Sequence, residues 1–314
     1  MRGRPAGLQR YYVIGFLCML AFIVVAPFVL YPVFLMRVFC FAIFVMAFNL
    51  LAGYAGLVSF GHAAFFGMGA YAAAWTAKYW GASAEVAVAI GGLAGAVLGV
   101  VVGWLSIRRT GIYFAMITLA LAQLVYFFCV QVPFTNGENG IQQVPRVPLV
   151  GAIPLGNGMA MYWFVAGVFV LCFLAVHRII HSPFGNVLKA IRENEARATS
   201  LGYRTQHYKL IAFVLSALFS GVGGGLLALV FGIATLESVR YTTSGEVVLM
   251  ALVGGFGTVF GPLTGSLVLS AMENYLAPFG SWVTVAEGAI FIIAVLAFRR
   301  GIIGEVMAKL KLSL

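Results

Sequence analysis

The amino-acid sequence predicts an all-α, polytopic membrane protein with about ten transmembrane helices and one cytoplasmic coupling helix. Hydrophobic residues make up 62% of its 314 positions and charged residues only 9%, whereas roughly a quarter of residues are charged in soluble globular proteins. Apolar runs of about 18–22 residues recur along the chain, and each can cross a hydrocarbon core of roughly 30 Å as a helix. Since no shift in composition divides the chain, residues 1–314 are predicted to form a single transmembrane domain.

The apolar runs define ten predicted spans. The first follows three arginines, as a cleaved leader does, but it is about 20 residues long and no small-x-small cleavage site follows it, so we expect it to be retained. The four cysteines lie in apolar runs and predict neither a disulfide framework nor a metal site. The predicted spans are residues 11–30, 33–52, 62–78, 84–105, 111–131, 159–177, 209–232, 245–258, 262–278 and 282–298.

Lysine and arginine are distributed unequally between the two sides of the predicted membrane. Fifteen lie on one side, three lie on the other, and Arg37 lies within a span. Cytoplasmic segments carry such an excess, so both termini are predicted to be cytoplasmic and the net charge of +10 needs no nucleic-acid partner. We expect a multi-pass membrane protein in contact with lipid. The fifteen are Arg2, Arg4, Arg10, Arg108, Arg109, Arg178, Lys189, Arg192, Arg197, Arg204, Lys209, Arg299, Arg300, Lys309 and Lys311; the three are Lys78, Arg146 and Arg240.

The predicted topology places spans two to five and spans seven to ten in opposite orientations, which is the arrangement of an inverted repeat. Glycines recur every four residues in the fourth span, from Gly91 to Gly103, and again from Gly257 to Gly265. Small residues at this spacing allow helices to approach closely in a membrane. The spacing predicts tight static packing at both places, and a moving interface is the less favoured interpretation.

A charged segment, HSPFGNVLKAIRENEARATSLG, interrupts the apolar runs at residues 181–202. Ser182 and Pro183 suit the N-cap and the first turn of a helix, and a glycine follows at its end, so the segment predicts one cytoplasmic helix over 183–201. Its apolar side chains share one face, and Glu195 falls on that face. A helix that lies on lipid headgroups explains the basic residues but not this carboxylate, whereas a protein partner that offers a cation or a helix N-terminus explains both.

This segment also resembles the cytoplasmic coupling segment of permease subunits of ATP-binding-cassette importers, which carries a Glu-Ala-Ala…Gly signature and docks into a cleft on the ATPase. Glu195, Ala196 and Gly202 match the signature. Arg197 replaces the second alanine, and the glycine lies seven rather than six residues after the glutamate. The resemblance implies the following ATPase-docking residues: Pro183, Phe184, Gly185, Leu188, Ile191, Arg192, Glu195, Ala196 and Gly202.

Two further stretches resemble the permeases for branched-chain amino acids, and specifically their M-type subunit. They are FNLLAGYAGLVSFGHAAFFGMGAYAAA at 48–74 and ALVGGFGTVFGPLTGS at 251–266, and the resemblance extends from about residue 40 to residue 300. It implies a permease that forms half of the translocation pathway for leucine, isoleucine and valine. The implied partners are a homologous H-type permease subunit, two ATP-binding-cassette ATPase subunits and an external amino-acid-binding protein.

Catalysis by this chain is not expected. The sequence contains no G-x-x-x-x-G-K-[ST] loop to cradle ATP phosphates, no aspartate, and no H-E-x-x-H, G-x-S-x-G or C-x-x-C motif. We therefore expect no catalytic residue, no metal and no cofactor in this chain, and we expect ATP and Mg²⁺ to bind to the separate ATPase subunits.

Polar residues within or beside the spans are candidates for the translocation path, because such groups are costly in lipid and tend to face an interior or a cavity. For His62 a structural bond to the turn before it is the favoured interpretation, and Glu287 is a further carboxylate near a span end. Two alternatives stay open: a urea or short-amide importer permease of the same family, and an ion-coupled secondary transporter that would use Glu246, Glu273 and Glu287. The path candidates are Asn49, Ser59, His62, Gln123, Glu246, Glu273 and Asn274.

Overall fold

The computed structural model describes residues 6–149, 155–276, 285, 288, 289, 292 and 301–309. Within these residues the regular secondary structure is helical, apart from an isolated antiparallel bridge between Ile141 and Ala234. The helices are α1 (Ala6–Val29), α2 (Pro32–Asn49), α3 (His62–Tyr79), α4 (Ala84–Ser106), α5 (Ile112–Gln131), α6 (Gly158–Ile180), α7 (Pro183–Glu193), α8 (Glu195–Ser200), α9 (Thr205–Phe231), α10 (Tyr241–Gly254), α11 (Gly261–Leu276) and α12 (Gly301–Lys309).

Helices α1 to α6 and α9 to α11 coincide with nine of the ten predicted spans, which confirms the all-α prediction. The tenth, residues 282–298, lies almost entirely outside the described residues. Among the described residues, five helices are long and apolar enough to cross a membrane: α4, α5, α6, α9, and α2 with its continuation to Tyr54. Helices α10 and α11 have 14 and 16 residues, fewer than the about 20 that a straight span needs, so the number of spans stays a prediction.

Helix α2 lies at the centre of the bundle. It begins with Pro32 in its first turn, and nearly all of its side chains from Leu35 onward are buried against α6, α9, α10 and α11. At its end the chain continues as a π-helix over Leu50–Tyr54. Wider turns of this kind occur often at functional sites, and this one presents the carbonyl group of Gly53 to the neighbouring segments.

Helices α3, α4 and α9 pack backbone against backbone. A Cβ atom on Gly69 would lie 2.3 Å from the carbonyl oxygen of Gly221, and one on Gly95 would lie 2.5 Å from that of Ala217. A Cβ on Gly265 would likewise lie 1.9 Å from the carbonyl oxygen of Met250, between α11 and α10. The close approach that the four-residue glycine spacing predicts is therefore confirmed at both places.

The helix predicted over residues 183–201 is wrong in one respect, because the segment forms two helices. Asn194 is extended, with φ −158° and ψ 101°, and separates α7 from α8. Its side-chain oxygen accepts a hydrogen bond of 2.9 Å from the backbone N–H of Arg197, so it is the N-cap of α8. Asparagine is among the preferred N-cap residues, and this internal cap overrides the amphipathic pattern that favours one continuous helix.

The bundle has two ends, which we name by the segments that lie there. The α7 end contains α7, α8, the turn 55–61 and the turn 255–260. The opposite end contains the loop 132–149, which joins the link 232–240 through the Ile141–Ala234 bridge and receives a 2.8 Å bond from Lys78 Nζ to the carbonyl of Gln142. The described basic residues that the sequence assigns to the cytoplasmic side lie at the α7 end, and those that it assigns to the other side lie at the opposite end. Which end faces the cytoplasm stays a prediction.

Candidate functional site

The apolar face of α7 covers the membrane bundle itself. Leu188 is fully buried in a cluster that includes Leu51, Ala55 and Phe213, and Ile191 is buried as well. Gly185 is also buried, since a Cβ there would lie 2.2 Å from the carbonyl oxygen of Ile180. These three predicted docking residues therefore pack against this chain, and their contact with an ATPase stays a prediction.

The other face of α7 and α8 is open. Phe184 is half-buried and stacks on Tyr208 of α9, with ring centroids 5.7 Å apart, while the remaining predicted docking residues stay at least partly accessible. The exposed residues carry both signs of charge and lie on the opposite side of these helices from the buried face. We call this set the coupling surface; its members are Pro183, Lys189, Glu193, Ala196, Arg197 and Gly202.

Glu195 forms an ion pair within this chain. Its Oε1 lies 2.5 Å from Nζ of Lys209, whose side chain is 3% exposed, whereas that of Glu195 is 37% exposed. The sequence-based hypothesis expected a protein partner to offer a cation or a helix N-terminus to this carboxylate, whereas this chain itself supplies a cation; contact of Glu195 with an ATPase stays a prediction. A buried ammonium is costly unless it is paired, so Glu195 neutralises Lys209 and holds α8 against the first turn of α9.

Arg192 reaches from α7 into the bundle. Its guanidinium donates to the carbonyl oxygen of Gly53 in the π turn, and its Cγ lies 3.0 Å from where a Cβ on Gly56 would be. A Cβ on Gly257 would lie 3.4 Å from its Nη1. Gly56 and Gly257 have φ of 74° and 73°, a conformation that favours glycine. Arg192 therefore lies against the turns 55–61 and 255–260 at once.

Asn49 forms a second connection near Arg192, between α2 and the turn 255–260. Its Nδ2 donates to the carbonyl of Thr258 at 2.8 Å, and its Oδ1 accepts from the N–H of Gly257 at 2.9 Å. Because both ends of this buried amide bind backbone, the polar residue predicted for the path fastens α2 to the turn 255–260. Asn49, Gly53, Arg192, Gly257 and Thr258 form a continuous contact from α7 to the centre of the bundle, which we call the junction.

Ser59 and His62 are buried and fasten the turn 55–61. The hydroxyl oxygen of Ser59 accepts from the N–H of Gly61 at 3.2 Å, and Nε2 of His62 lies 2.8 Å from the hydroxyl of Ser216 on α9. That hydroxyl donates in turn to the carbonyl of Ala47 at 2.5 Å. The hydrogen bond of His62 goes to α9, so a structural bond to the turn before it stays a prediction, as does the assignment of either residue to the path.

The remaining path candidates divide into two groups. Gln123 is half-buried on α5, and Asn274 is exposed near the end of α11, so neither is brought to the other candidates. Glu246 of α10 and Glu273 of α11 line one cavity of about 410 Å³ near the opposite end of the bundle. Glu287 lies outside the described residues.

Arg37 also lines this cavity, and sequence reasoning had not placed it in a site. Its Nη2 lies 2.5 Å from Oε2 of Glu273, with side chains 36% and 19% exposed, and its guanidinium lies 5.6 Å from the ring centroid of Phe41. The signal that could have found it is a lone arginine within an apolar span, since such a charge pairs or faces a cavity. The lining residues are Arg37, Phe41, Phe66, Leu227, Phe231, Ile233, Thr235, Glu237, Ser238, Thr243, Glu246 and Glu273.

Comparison with known proteins identifies the family. The family described as "Branched-chain amino acid transport system / permease component" matches residues 32–298. The high-affinity branched-chain amino acid transport system permease protein LivM of Escherichia coli K12 is 26% identical, over 84% of this chain and 68% of its own length. LivH of Salmonella typhimurium LT2 is 26% identical over 46% and 47% of the two chains, and the ribose import permease RbsC of Bacillus subtilis 168 is 28% identical over 57% and 58%. No solved structure matches. Since the family match covers most of the chain and confirms the resemblance found in the sequence, this chain belongs to the branched-chain amino acid permease family.

Proposed function

We propose that this chain is the M-type permease subunit of an ATP-driven importer and forms half of its pathway for leucine, isoleucine and valine. The family match over residues 32–298 carries this proposal. The similarity to LivM extends over 84% of the chain, whereas the similarity to the ribose permease extends over 57%. The extent of the match therefore favours an amino-acid substrate over a sugar.

The second half of the pathway is a homologous H-type permease. The similarity of this chain to LivH, a differently named subunit of the same transport system, supports a pair of related subunits. An external amino-acid-binding protein delivers the substrate to the opposite end of the bundle, which faces outward in the bacterial cytoplasmic membrane if the positive-inside rule holds.

Two separate ATPase subunits bind ATP and Mg²⁺ and dock on the coupling surface. The sequence offers no phosphate-binding loop of its own, and α7 and α8 present an exposed, charged surface beside a buried one. The junction gives that surface a direct contact to α2 and to the turn 255–260. Movement of α7 by an ATPase is thereby transmitted to the bundle.

Purification of the chain with and without its expected partners tests this proposal. The tagged chain should copurify with an H-type permease and two ATPase subunits, and transport in proteoliposomes should require the full assembly and ATP. Substrate-stimulated transport by the chain alone, driven by an ion gradient, would contradict the proposal and favour a secondary transporter.

A further inference from the structure

The cavity at the opposite end of the bundle brings both signs of charge together with an apolar wall. Arg37 and Glu273 form the 2.5 Å ion pair, Glu246 lies on the neighbouring helix α10, and Glu237 lies on the rim. The same cavity is lined by a set of apolar side chains from α2, α3, α9 and the link after it: Phe41, Phe66, Leu227, Phe231 and Ile233.

We propose that this cavity is a binding site for the zwitterion of a branched aliphatic α-amino acid. Arg37 binds the α-carboxylate, Glu246 together with Glu273 binds the α-ammonium, and the apolar wall receives the side chain. The proposal rests on the proposed function, which supplies the substrate class, and it adds the residues that recognise each end of the substrate.

The charges of the cavity match those of a zwitterion. A guanidinium has five N–H groups in a fixed fork and binds carboxylates in a bidentate manner, and the bond to Glu273 uses one of its nitrogens. Arg37 keeps a 36% exposed side chain, so a carboxylate can approach it. Beside this cation the described lining has the carboxylates of Glu237, Glu246 and Glu273, the groups that bind an ammonium by charge-assisted hydrogen bonds. Because the zwitterion has no net charge, its departure leaves the net charge of the cavity unchanged.

The size and the wall of the cavity suit an amino acid with an aliphatic side chain. The volume of about 410 Å³ lies within the range of about 300–1,000 Å³ that is typical of small-molecule sites. Several relatives are named for ribose or galactose, which are uncharged. An uncharged sugar or urea offers no partner of opposite charge to Arg37 or to the carboxylates, so these side chains favour a charged ligand.

An aromatic stack extends from the cavity wall along α2. The ring of Phe66 lies 5.8 Å from that of Phe41 and 4.4 Å from that of Phe44. Phe44 is fully buried and follows Phe41 by one turn of α2, on the side that leads to the α7 end.

Ligand-observed saturation-transfer NMR on the purified permease–ATPase assembly, without the external binding protein, tests the site. The probes are leucine, 3-methylbutylamine (which lacks the carboxylate), 4-methylpentanoate (which lacks the ammonium), ribose and urea. We expect leucine to bind at least about tenfold more tightly than either single-charge analogue, since one charge-assisted hydrogen bond contributes that much. Ribose and urea should give no competition with leucine.

Variants assign the two ends of the ligand. Arg37→Gln should weaken the binding of leucine at least about tenfold and should not weaken that of 3-methylbutylamine, since it removes a cation beside Glu273, while Glu246→Gln should weaken the binding of both. Lys78→Gln is the matched control, because Lys78 lies at the same end, donates to the carbonyl of Gln142 at 2.8 Å and does not line the cavity. If Arg37→Gln fails to fold, Arg37→Lys and Glu246→Gln provide the same comparison.

The outcomes separate this inference from the proposed function. If leucine uptake by the wild-type assembly is ATP-driven but Arg37→Gln and Glu246→Gln bind leucine as Lys78→Gln does, the zwitterion site is overturned and the importer stands. If the wild-type assembly takes up ribose or urea and not leucine, the proposed function fails as well. Selective loss in the two cavity variants supports the site.

Discussion

At the scale of single residues, Arg192 is the contact through which α7 reaches the bundle, because it binds Gly53 and lies against Gly257. The sequence had assigned it to the surface that docks on an ATPase. Arg192 is exposed, but a long side chain can lie on a surface and still place its charged end on a buried carbonyl, a contact that helical periodicity alone does not reveal. The backbone turn that it contacts lies 139 residues away in the chain.

We predict that Arg192→Ala uncouples the importer without preventing its assembly. The variant loses the bond to Gly53, a charge-assisted contact that contributes about 1 kcal/mol when partly exposed, and a displacement of α7 no longer moves the turn 255–260. Leucine transported per ATP hydrolysed should fall several-fold, and Arg192→Lys should fall less. Arg109→Ala, an exposed arginine at the same end, is the control. Equal transport ratios in the two alanine variants would show that the junction transmits nothing.

We predict that Glu195→Ala destabilises the fold itself. Removal of the Glu195 side chain leaves the buried Lys209 without its carboxylate. Stranding one member of a fully buried pair costs about 3–5 kcal/mol, and the 37% exposure of Glu195 lowers the expected cost to about 1–2 kcal/mol. Thermal unfolding in detergent measures this as a reduced Tm.

Two further variants test the ion pair. Lys209→Met in the Glu195→Ala background removes the stranded charge and should restore most of the lost stability. Glu193→Ala, one turn away and exposed, should leave the Tm unchanged. If Glu195→Ala and Glu193→Ala have equal Tm values, the pair contributes nothing to the fold.

At the scale of the elements, the sequence predicts the helices well because each is a long apolar run. It misses the break at Asn194, since amphipathic spacing continues through both helices and only the side-chain cap separates them. It also misses the cavity. Glu246 and Glu273 are visible as polar groups near span ends, but their meeting with Arg37, which is 236 residues from Glu273 in the chain, depends on how α2 packs against α10 and α11.

We predict that Gly224→Ala separates α3 from α9. A Cβ at this position would lie 1.8 Å from the carbonyl oxygen of Phe66, and backbone cannot move aside as a flexible side chain does. Overpacking typically costs about 1–3 kcal/mol or more, so the Tm should fall by several degrees. Gly167→Ala on α6, where nothing lies within 4 Å of the added Cβ, should keep or slightly raise the Tm. A variant at Gly224 as stable as the one at Gly167 would contradict the packing of these two helices.

At the scale of the whole molecule, the basic residues and the fold agree on which segments share an end. The loop 132–149 lies with the link 232–240, and α7 lies with the turn 255–260. The inverted repeat stays a hypothesis from topology, since the tenth predicted span lies outside the described residues. The sequence could predict the two ends because charge placement follows the membrane, whereas the junction between distant turns has no such signal.

We predict that the α7 end is cytoplasmic. The expected result with reporter fusions is an external signal after residue 145 and a cytoplasmic signal after residue 195, because lysine and arginine are concentrated in cytoplasmic segments. At each of the two sites, one reporter that is active outside the cell and one that is active in the cytoplasm are fused in separate variants, which controls for expression. Signals from the same side at both positions would contradict the assignment of spans.

The measurement that tests the account most directly is ATP-driven uptake of radiolabelled leucine, in parallel with urea and ribose, by proteoliposomes that contain this chain, its H-type partner, two ATPase subunits and the external binding protein. We predict uptake of leucine that isoleucine and valine inhibit, that stops without ATP, and that is absent for urea and ribose. Uptake of urea or ribose without leucine, or leucine uptake that continues in the absence of ATP, would contradict the assignment of this chain to a branched-chain amino-acid importer.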